Sequence, residues 1–171
     1  TDRDAVDFLD GAGVGAFKVG SDDIVYTPFL SYMAKKGKPV IISSGMADAE
    51  DIKRAVKTIE ETGNDQIIVC HCVSEYPAPE EHVNLRKISE MRKFIKHPVG
   101  YSDHSQGLTA DMGAVALGAC YFERHFPLDK ELPGPDHWFA ADPGDMKNLV
   151  TGIRQIEKNL GAGALCASDN E

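Results

Sequence analysis

Two histidines and three nearby carboxylates are the residues of this sequence best suited to chemistry. His104 follows Asp103, His125 follows closely after Glu123, and Asp136 comes further along. Imidazole nitrogens bind divalent transition metals well, and carboxylates can orient such ligands or transfer protons beside them. Each histidine comes after an apolar stretch, where a strand would give way to a loop. A single histidine at such a place is usually structural, but this matched pair favours a metal site in an enzyme over a binding module.

Lys18 and several serines precede this pair along the chain. Lys18 lies among apolar and small residues, where a charged side chain is costly unless it meets an anion. It therefore predicts a phosphate or carboxylate site, with a lysine that extends to solvent at a rim as the alternative. Ser43, Ser44 and Gly45 can offer hydroxyl and amide groups to a phosphate. The same residues are also ordinary in turns, so this signal is weak by itself.

Composition restricts the class of protein. The chain has 171 residues, of which 42% are hydrophobic and 26% charged, as expected for one globular domain with a substantial core. Its net charge of −9 argues against nucleic acid and anionic membranes as partners. No apolar run approaches the roughly 20 residues that a membrane-spanning helix needs. An acidic chain can still hold a locally positive pocket, so an anionic substrate is not excluded.

The four cysteines lack the spacing of a zinc ribbon or a redox motif. They are interpreted as reduced thiols, which places the protein in the cytoplasm. Cys70-His71-Cys72 looks like a metal motif, but alternation along a strand puts the two cysteines on one face and His71 on the other. Packing in the core is the favoured interpretation of this segment.

Short apolar runs alternate with amphipathic helical stretches along the chain. Strands are predicted at 15–20, 38–43, 66–71, 98–101 and 120–123. Helices are predicted at 4–9, 27–37, 48–63, 85–96, 108–117 and 142–160. Thr27 is the expected N-cap of the second helix, and Asp142 with Asp145 predicts a capped start for the last.

This alternation indicates a parallel sheet covered by helices, a pattern that two α/β architectures share. A doubly wound sheet concentrates its site at one switch point, whereas a (β/α)8 TIM barrel collects side chains from many strand ends on one rim. Every predicted strand here ends in polar side chains, which favours the barrel. Five strand–helix units would leave an eight-stranded barrel with two open edges. We therefore expect 1–161 to be a partial barrel domain of a longer or associating protein, and 162–171 a flexible tail.

Several segments, taken in order, resemble the sialic acid synthase (N-acetylneuraminate synthase) family. They are KVGSDD, VIISSGM, HCVSEYPAP with VNLR, VGYSDHSQG, ALGA followed by FERHFPLDKELPGPDH, and the closing GIRQIEKNLG. The similarity runs from about Ala5 to Gly161, and motifs in this order are far more specific than any one of them. The resemblance implies the later part of that family's catalytic (β/α)8 barrel.

The resemblance also implies a reaction and a cofactor. Members of the family condense phosphoenolpyruvate with an N-acylated amino-hexose such as N-acetylmannosamine, giving a nine-carbon sialic acid and phosphate. They use Mn2+ or Mg2+, and the two protein metal ligands match His104 and His125. Such an ion polarises the aldehyde oxygen that the phosphoenolpyruvate carbon attacks.

Site residues follow from the same match, position by position. The positions that hold phosphoenolpyruvate match Lys18, Ser21, Ser43, Ser74 and Ser102. The positions on the sugar side match Asp23, Tyr76 and Asp136. Asp136, Glu123 and Tyr76 are the predicted catalytic residues. Either Asp136 or Glu123 can be the group that transfers a proton, and the sequence does not decide between them. Ser74 and Asp22 depart from the family pattern, which more often has Asn and Gly there.

Family members carry three earlier barrel strands, and most add an antifreeze-like domain that reaches the partner subunit. The resemblance therefore implies a homodimer, in which this segment alone is expected to be inactive. Three alternatives stay open. The acceptor can be the hexose of a legionaminic or pseudaminic acid synthase. The chain can be a more distant phosphoenolpyruvate–aldose condensing barrel, a group that favours a cysteine metal ligand, for which only Cys72 is suitably placed. It can also be a non-catalytic fragment that binds no metal tightly.

Overall fold

The computed structural model describes residues 2–163, in which strands and helices alternate. The strands are β1 Phe17–Val19, β2 Val40–Ser43, β3 Ile67–Cys72, β4 Val99–Asp103 and β5 Phe122–Arg124. The helices are α1 Arg3–Gly11, α2 Thr27–Ala34, α3 Ala49–Glu60, α4 Glu80–Val83, α5 Arg86–Met91, α6 Thr109–Ala116 and α7 Pro143–Leu160. Every predicted strand and helix is present, and α4 is an addition.

All five strands are parallel, and they lie in the sheet in the order in which they occur along the chain. A doubly wound sheet reverses its strand order at the switch point, and there is no such reversal here. Sequential parallel strands separated by helices are instead the order of a (β/α) barrel. The described residues therefore form five consecutive strands of such a barrel, as predicted.

The two faces of the sheet differ in chemistry because side chains alternate along each strand. One face packs against the helices and carries the apolar core, including Val19, Ile42, Val69 and Tyr101. The other face, which we call the inner face, carries polar groups from the intervening positions. The register makes Ser43 the partner of Cys70, and aligns Cys72, Ser102 and Glu123 on three neighbouring strands.

Capping boxes fix the first residues of α3 and α7. The Asp142 side chain accepts a hydrogen bond from the Asp145 amide, and a reciprocal bond completes the capping box of α7. Asp48 caps α3 in the same way. The prediction of Thr27 as an N-cap was wrong, because α2 begins at Thr27 and its cap is Tyr26 without a side-chain hydrogen bond.

The helices differ from prediction in three respects. The helix expected at 85–96 is regular only to Met91, and turns carry the chain from there toward Pro98. The preceding loop contains the extra turn α4, which ends at Asn84 in the left-handed conformation with φ 45°. On α7, only Leu149 of the predicted apolar stripe is fully buried. Beyond residue 163, the predicted flexible tail lies outside the described residues.

No helix among the described residues combines the length and the apolar character needed to cross a bilayer.

Gly100 offers a test of how tightly β4 is packed. A Cβ at this position would lie 2.9 Å from the Cys70 Sγ and 2.9 Å from the Tyr121 carbonyl oxygen. The Gly100→Ala variant is therefore expected to lose about 1–3 kcal/mol of the free energy of unfolding, measured by urea denaturation. Gly11→Ala is the matched control, because nothing lies within 4 Å of a Cβ added at the end of α1. Equal stability of the two variants would contradict this packing.

Candidate active site

His104 and His125 lie side by side at the carboxyl ends of neighbouring strands. Each follows directly on the last residue of its strand, β4 or β5, and those two end residues are partners in the register. The two imidazole rings are 5.3 Å apart between centroids. Residues far apart in the sequence are thus adjacent because parallel strands end at the same edge of the sheet.

The hydrogen bonds of the two imidazoles differ. The Nδ1 of His104 lies 2.7 Å from the Val73 carbonyl oxygen, which assigns the proton to Nδ1 and leaves Nε2 as the free nitrogen. The Nδ1 of His125 lies 3.6 Å from the Asp136 Oδ2. This is longer than a direct hydrogen bond, so Asp136 acts on His125 by its charge. A backbone partner such as the Val73 carbonyl fixes the orientation of a metal-binding imidazole.

Burial and charge shift the pKa values of these groups in opposite directions. Burial disfavours the charged form of His104, but hydrogen bonds to the Cys72 thiol and the Val73 carbonyl outweigh it and raise the pKa of His104. Burial, followed by the neighbouring His104, lowers the pKa of His125. Adjacent imidazoles with separated pKa values do not both become charged in the same pH range, which limits their mutual repulsion.

Tyr76 lies over the histidine pair. Its ring centroid is 4.1 Å from that of His104 and 5.7 Å from that of His125, and 53% of the residue is exposed. The loop that carries it is held to the site because the Ala78 amide donates to the His104 carbonyl. Burial, followed by the charge of Cys72, raises the pKa of Tyr76, so the phenol stays protonated as a hydrogen-bond donor.

Lys18 points onto the inner face. Its Nζ donates to the Ser43 hydroxyl at 2.8 Å and lies 3.4 Å from the Glu123 Oε1. The same carboxylate oxygen accepts a hydrogen bond from the Ser102 hydroxyl at 2.8 Å. The lysine thus already meets an anion, which is the condition for placing a charged amine among strand side chains. Two hydroxyls, a cation and a carboxylate form one connected group.

A second group of hydroxyls lies beside this one. The Gly45 amide donates to the Ser21 hydroxyl at 3.0 Å. A Cβ at Gly45 would collide with the Ser74 hydroxyl and would lie 2.6 Å from the Ser21 Oγ. The absence of a side chain at this glycine therefore allows Ser21 and Ser74 to converge on its backbone.

Asp23 is the predicted site residue that the structure ties least to the others. It is half-buried in the turn after β1, and its side chain makes none of the hydrogen bonds or ion pairs found among residues 2–163. Its backbone closes the turn, since its amide donates to the Gly20 carbonyl.

Cys72 lies at the site, although the sequence favoured core packing for it and indicated a metal-ligand position only in the alternative of a more distant barrel. It is 4% exposed, and its Sγ lies 3.9 Å from the His104 Nδ1. Burial opposes the thiolate, but hydrogen bonds from His104 and Ser21 outweigh it and lower the pKa of Cys72. The predicted core packing holds for His71, which is buried on the helix side of the sheet. Its Nε2 lies 2.7 Å from the Val83 carbonyl oxygen. The signal for Cys72 was its alignment with Ser102 at the end of the neighbouring strand.

The open space at this edge of the sheet is small. A cavity of about 220 Å³ is lined by Ser102, His104, Glu123, Arg124 and His125. A larger hollow of about 470 Å³ lies elsewhere, between α4, α5 and the start of α6, and contains none of the predicted site residues. We place the candidate site at the smaller cavity, because the imidazoles and the carboxylate that can do chemistry are there.

Several known proteins with similar sequences are named as synthases of sialic-acid-type sugars. N,N'-diacetyllegionaminic acid synthase of Legionella pneumophila is 43% identical over 99% of this chain, which covers 49% of the relative's length. Human N-acetylneuraminate-9-phosphate synthase is 43% identical over 94% of the chain, which covers 45% of its length. The chain thus spans about half the length of the curated relatives it matches.

Similar structures give the same result. The N-acetylneuraminic acid (sialic acid) synthetase of Leptospira borgpetersenii, solved in complex with citrate, superposes with a TM-score of 0.94 and 36% identity. The match covers 99% of this chain and 59% of that chain. The model of the NeuB family matches residues 1–164, so the resemblance seen in the motifs is confirmed. This chain belongs to the NeuB family.

Proposed function

We propose that this chain supplies much of an active site that joins phosphoenolpyruvate to an N-acylated amino-hexose of the N-acetylmannosamine type. A carbon–carbon bond forms at the hexose aldehyde, water adds at the second carbon of phosphoenolpyruvate, and the carbon–oxygen bond to phosphate breaks, so the products are a nine-carbon sialic acid and inorganic phosphate. One observation carries the proposal: a lysine–hydroxyl group suited to an anion and a pair of imidazoles suited to a metal share one face. Glu123 joins them, because it contacts Lys18 and Ser102 and lines the cavity that the two histidines line. The whole protein is proposed to act in the cytoplasm as a homodimer.

The anion half of the site fits phosphoenolpyruvate, which carries a phosphate and a carboxylate. Lys18 supplies a positive charge, and Ser43 and Ser102 supply hydroxyls on the neighbouring strands. Charge-assisted hydrogen bonds of this kind are stronger than neutral ones. Glu123 pairs with Lys18 before substrate binds. An arriving anion must therefore displace the Glu123 carboxylate or share the lysine with it. The Ser21–Ser74–Gly45 group offers a second set of hydroxyl and amide partners.

The metal half of the site fits a divalent transition metal, and we infer Mn2+ in preference to Mg2+. Within the described residues, no group of three or more His, Cys, Asp and Glu side chains is arranged to hold an ion. His104 and His125 nevertheless supply two imidazoles, and the Val73 carbonyl holds the first with its Nε2 free. Mg2+ prefers oxygen ligands, whereas imidazole suits transition metals. When bound, the ion would supply Lewis acidity toward the hexose aldehyde oxygen.

The chain's own residues have separate tasks in this scheme. Lys18 and the serines orient phosphoenolpyruvate so that its nucleophilic carbon faces the aldehyde, which lowers the barrier by positioning. Tyr76 offers a protonated phenol above the histidines, on the side assigned to the sugar. Asp136 stabilises His125 by its charge and is one candidate for proton transfer, with Glu123 as the other.

A synthase for legionaminic acid is the second candidate. The relative from Legionella pneumophila carries that name, and it matches this chain with the same 43% identity as the human enzyme. Hexose-dependent release of phosphate from phosphoenolpyruvate by the whole protein tests both candidates. Faster turnover of N-acetylmannosamine supports the first, and faster turnover of a diacetamido-trideoxyhexose supports the second. Protein that binds Mn2+ and phosphoenolpyruvate but releases no phosphate with either sugar would contradict the proposed reaction.

The anion site predicts a defect in Lys18→Met. Loss of the charged amine is expected to weaken phosphoenolpyruvate binding at least about tenfold, since hydrogen bonds to charged groups contribute about 1.5–3 kcal/mol. Isothermal titration calorimetry measures the affinity. Lys57→Met is the control, because Lys57 is 75% exposed on α3 and pairs with Glu61, away from the site. If both variants bind phosphoenolpyruvate as the unmodified protein does, Lys18 is not part of the site.

The metal site predicts a loss of Mn2+ binding in His104→Ala. Removal of one of two imidazole ligands is expected to lower the affinity for Mn2+ by at least about tenfold, which the spectrum of free Mn2+ in electron paramagnetic resonance reports. His97→Ala is the control, because His97 pairs with Glu60 away from the site. Equal Mn2+ affinity in His104→Ala and the unmodified protein would remove the metal proposal.

A further inference from the structure

A buried charged cluster lies behind the histidine pair, on the helix side of the sheet. It consists of Arg124, Asp103 and Asp111, and we call it the clamp. The Arg124 side chain is 2% exposed and both carboxylates are fully buried. Asp111 comes from α6, whereas Asp103 and Arg124 are the last residues of β4 and β5. The clamp therefore joins three elements at the level where the histidines leave the sheet.

The clamp binds the residues on both sides of His104. Arg124 Nη1 binds the Asp103 carboxylate and lies 2.7 Å from the Asp111 Oδ2. Its Nη2 donates to the Ser105 carbonyl at 2.8 Å. The Asp103 Oδ1 accepts from the Ser105 amide at 2.7 Å and from the Tyr101 hydroxyl at 2.8 Å. The residues on both sides of His104 are thus bound to the residue directly before His125.

Because side chains alternate along a strand, the clamp lies directly behind the residues that precede the two histidines. Ser102 and Glu123 are register partners on the inner face, and Asp103 and Arg124 are the next partners, facing the helices. The following pair of positions is His104 and His125. The guanidinium therefore bridges the two chain segments one residue before each histidine.

Stability alone is a poor explanation for these charges. Replacing a buried ion cluster by apolar side chains of similar volume is often neutral or stabilising, because the ions must lose their water. Burial and the neighbouring Asp103 raise the pKa of Asp111, to about 7, which reflects this electrostatic cost. Across residues 2–163, the buried side-chain polar atoms without a hydrogen-bond partner are the Ser105 Oγ, Asp111 Oδ1 and Arg124 Nε. All three belong to the clamp or to its contact Ser105.

We propose that Arg124, held by Asp103 and Asp111, is a positioning residue that sets the separation and orientation of His104 and His125 for metal binding. Arg124 lines the cavity, but its side chain is only 2% exposed, so the guanidinium acts through its contacts with Asp103 and Ser105 on either side of His104. This inference rests on the proposed metal site. It adds a determinant of metal affinity that is not itself a ligand, as found for groups that orient metal-bound imidazoles.

The test measures Mn2+ affinity and thermal stability in parallel. Arg124→Met removes the guanidinium but keeps an unbranched apolar stem, and Arg124→Lys keeps a charge that cannot reach all three partners. Asp111→Asn removes one anchor with almost no change in shape. The control is Asn64→Leu, because Asn64 is also buried and polar but binds the Ala34 and Lys38 carbonyls at the opposite end of the strands.

Arg124→Met is expected to weaken Mn2+ binding about 10- to 100-fold, with smaller losses in Arg124→Lys and Asp111→Asn. Asn64→Leu is expected to lower the melting temperature without changing Mn2+ affinity. Unchanged Mn2+ affinity in the folded clamp variants would overturn the inference. Should Arg124→Met not fold, Arg124→Lys and Asp111→Asn decide. Failure of the metal proposal is distinguishable, because then the unmodified protein and His104→Ala would bind Mn2+ equally.

Discussion

The rest of this site depends on the alternation of side chains along parallel strands held in one register. On each strand, residues that face the helices build the apolar core, and the intervening residues face inward. The partners Ser102 and Glu123 therefore share the inner face with Lys18, whereas Asp103 and Arg124 lie behind it. If β5 slipped by one residue against β4, Glu123 would face the helices and Arg124 would face inward.

Electrostatic balance links the two faces at this end of the sheet. On the inner face, Lys18 is balanced by Glu123, so an anionic substrate enters a group that already contains a negative charge. On the helix side, Arg124 is balanced by two carboxylates. Lys18 and Arg124 are thus each paired with carboxylates, because an unpaired charge within the fold would be costly. Between the two groups, His104 and His125 carry no such permanent charge, which leaves them able to accept a cation.

Periodicity and residue type predicted the five strands, their parallel order and the convergence of polar strand ends. These features are local: apolar runs mark strands, and parallel strands end at one edge. Contacts between distant elements were not predictable in this way. Arg124 contacts Asp111 on α6, and Cys72 at the end of β3 approaches His104, which follows the neighbouring strand β4. The pattern of the sequence did not predict the extra turn α4, whose N-cap is Pro79.

In the proposed function, the histidine pair that binds the metal and the Lys18 group that binds the anion form a single site. Phosphorus nuclear magnetic resonance of phosphoenolpyruvate in the presence of the protein and Mn2+ tests it most directly, because a paramagnetic ion broadens the signals of nuclei close to it. We expect strong broadening with the unmodified protein and its loss in His104→Ala, while phosphoenolpyruvate still binds through Lys18. Bound phosphoenolpyruvate whose phosphorus signal is unaffected by bound Mn2+ would contradict a shared site.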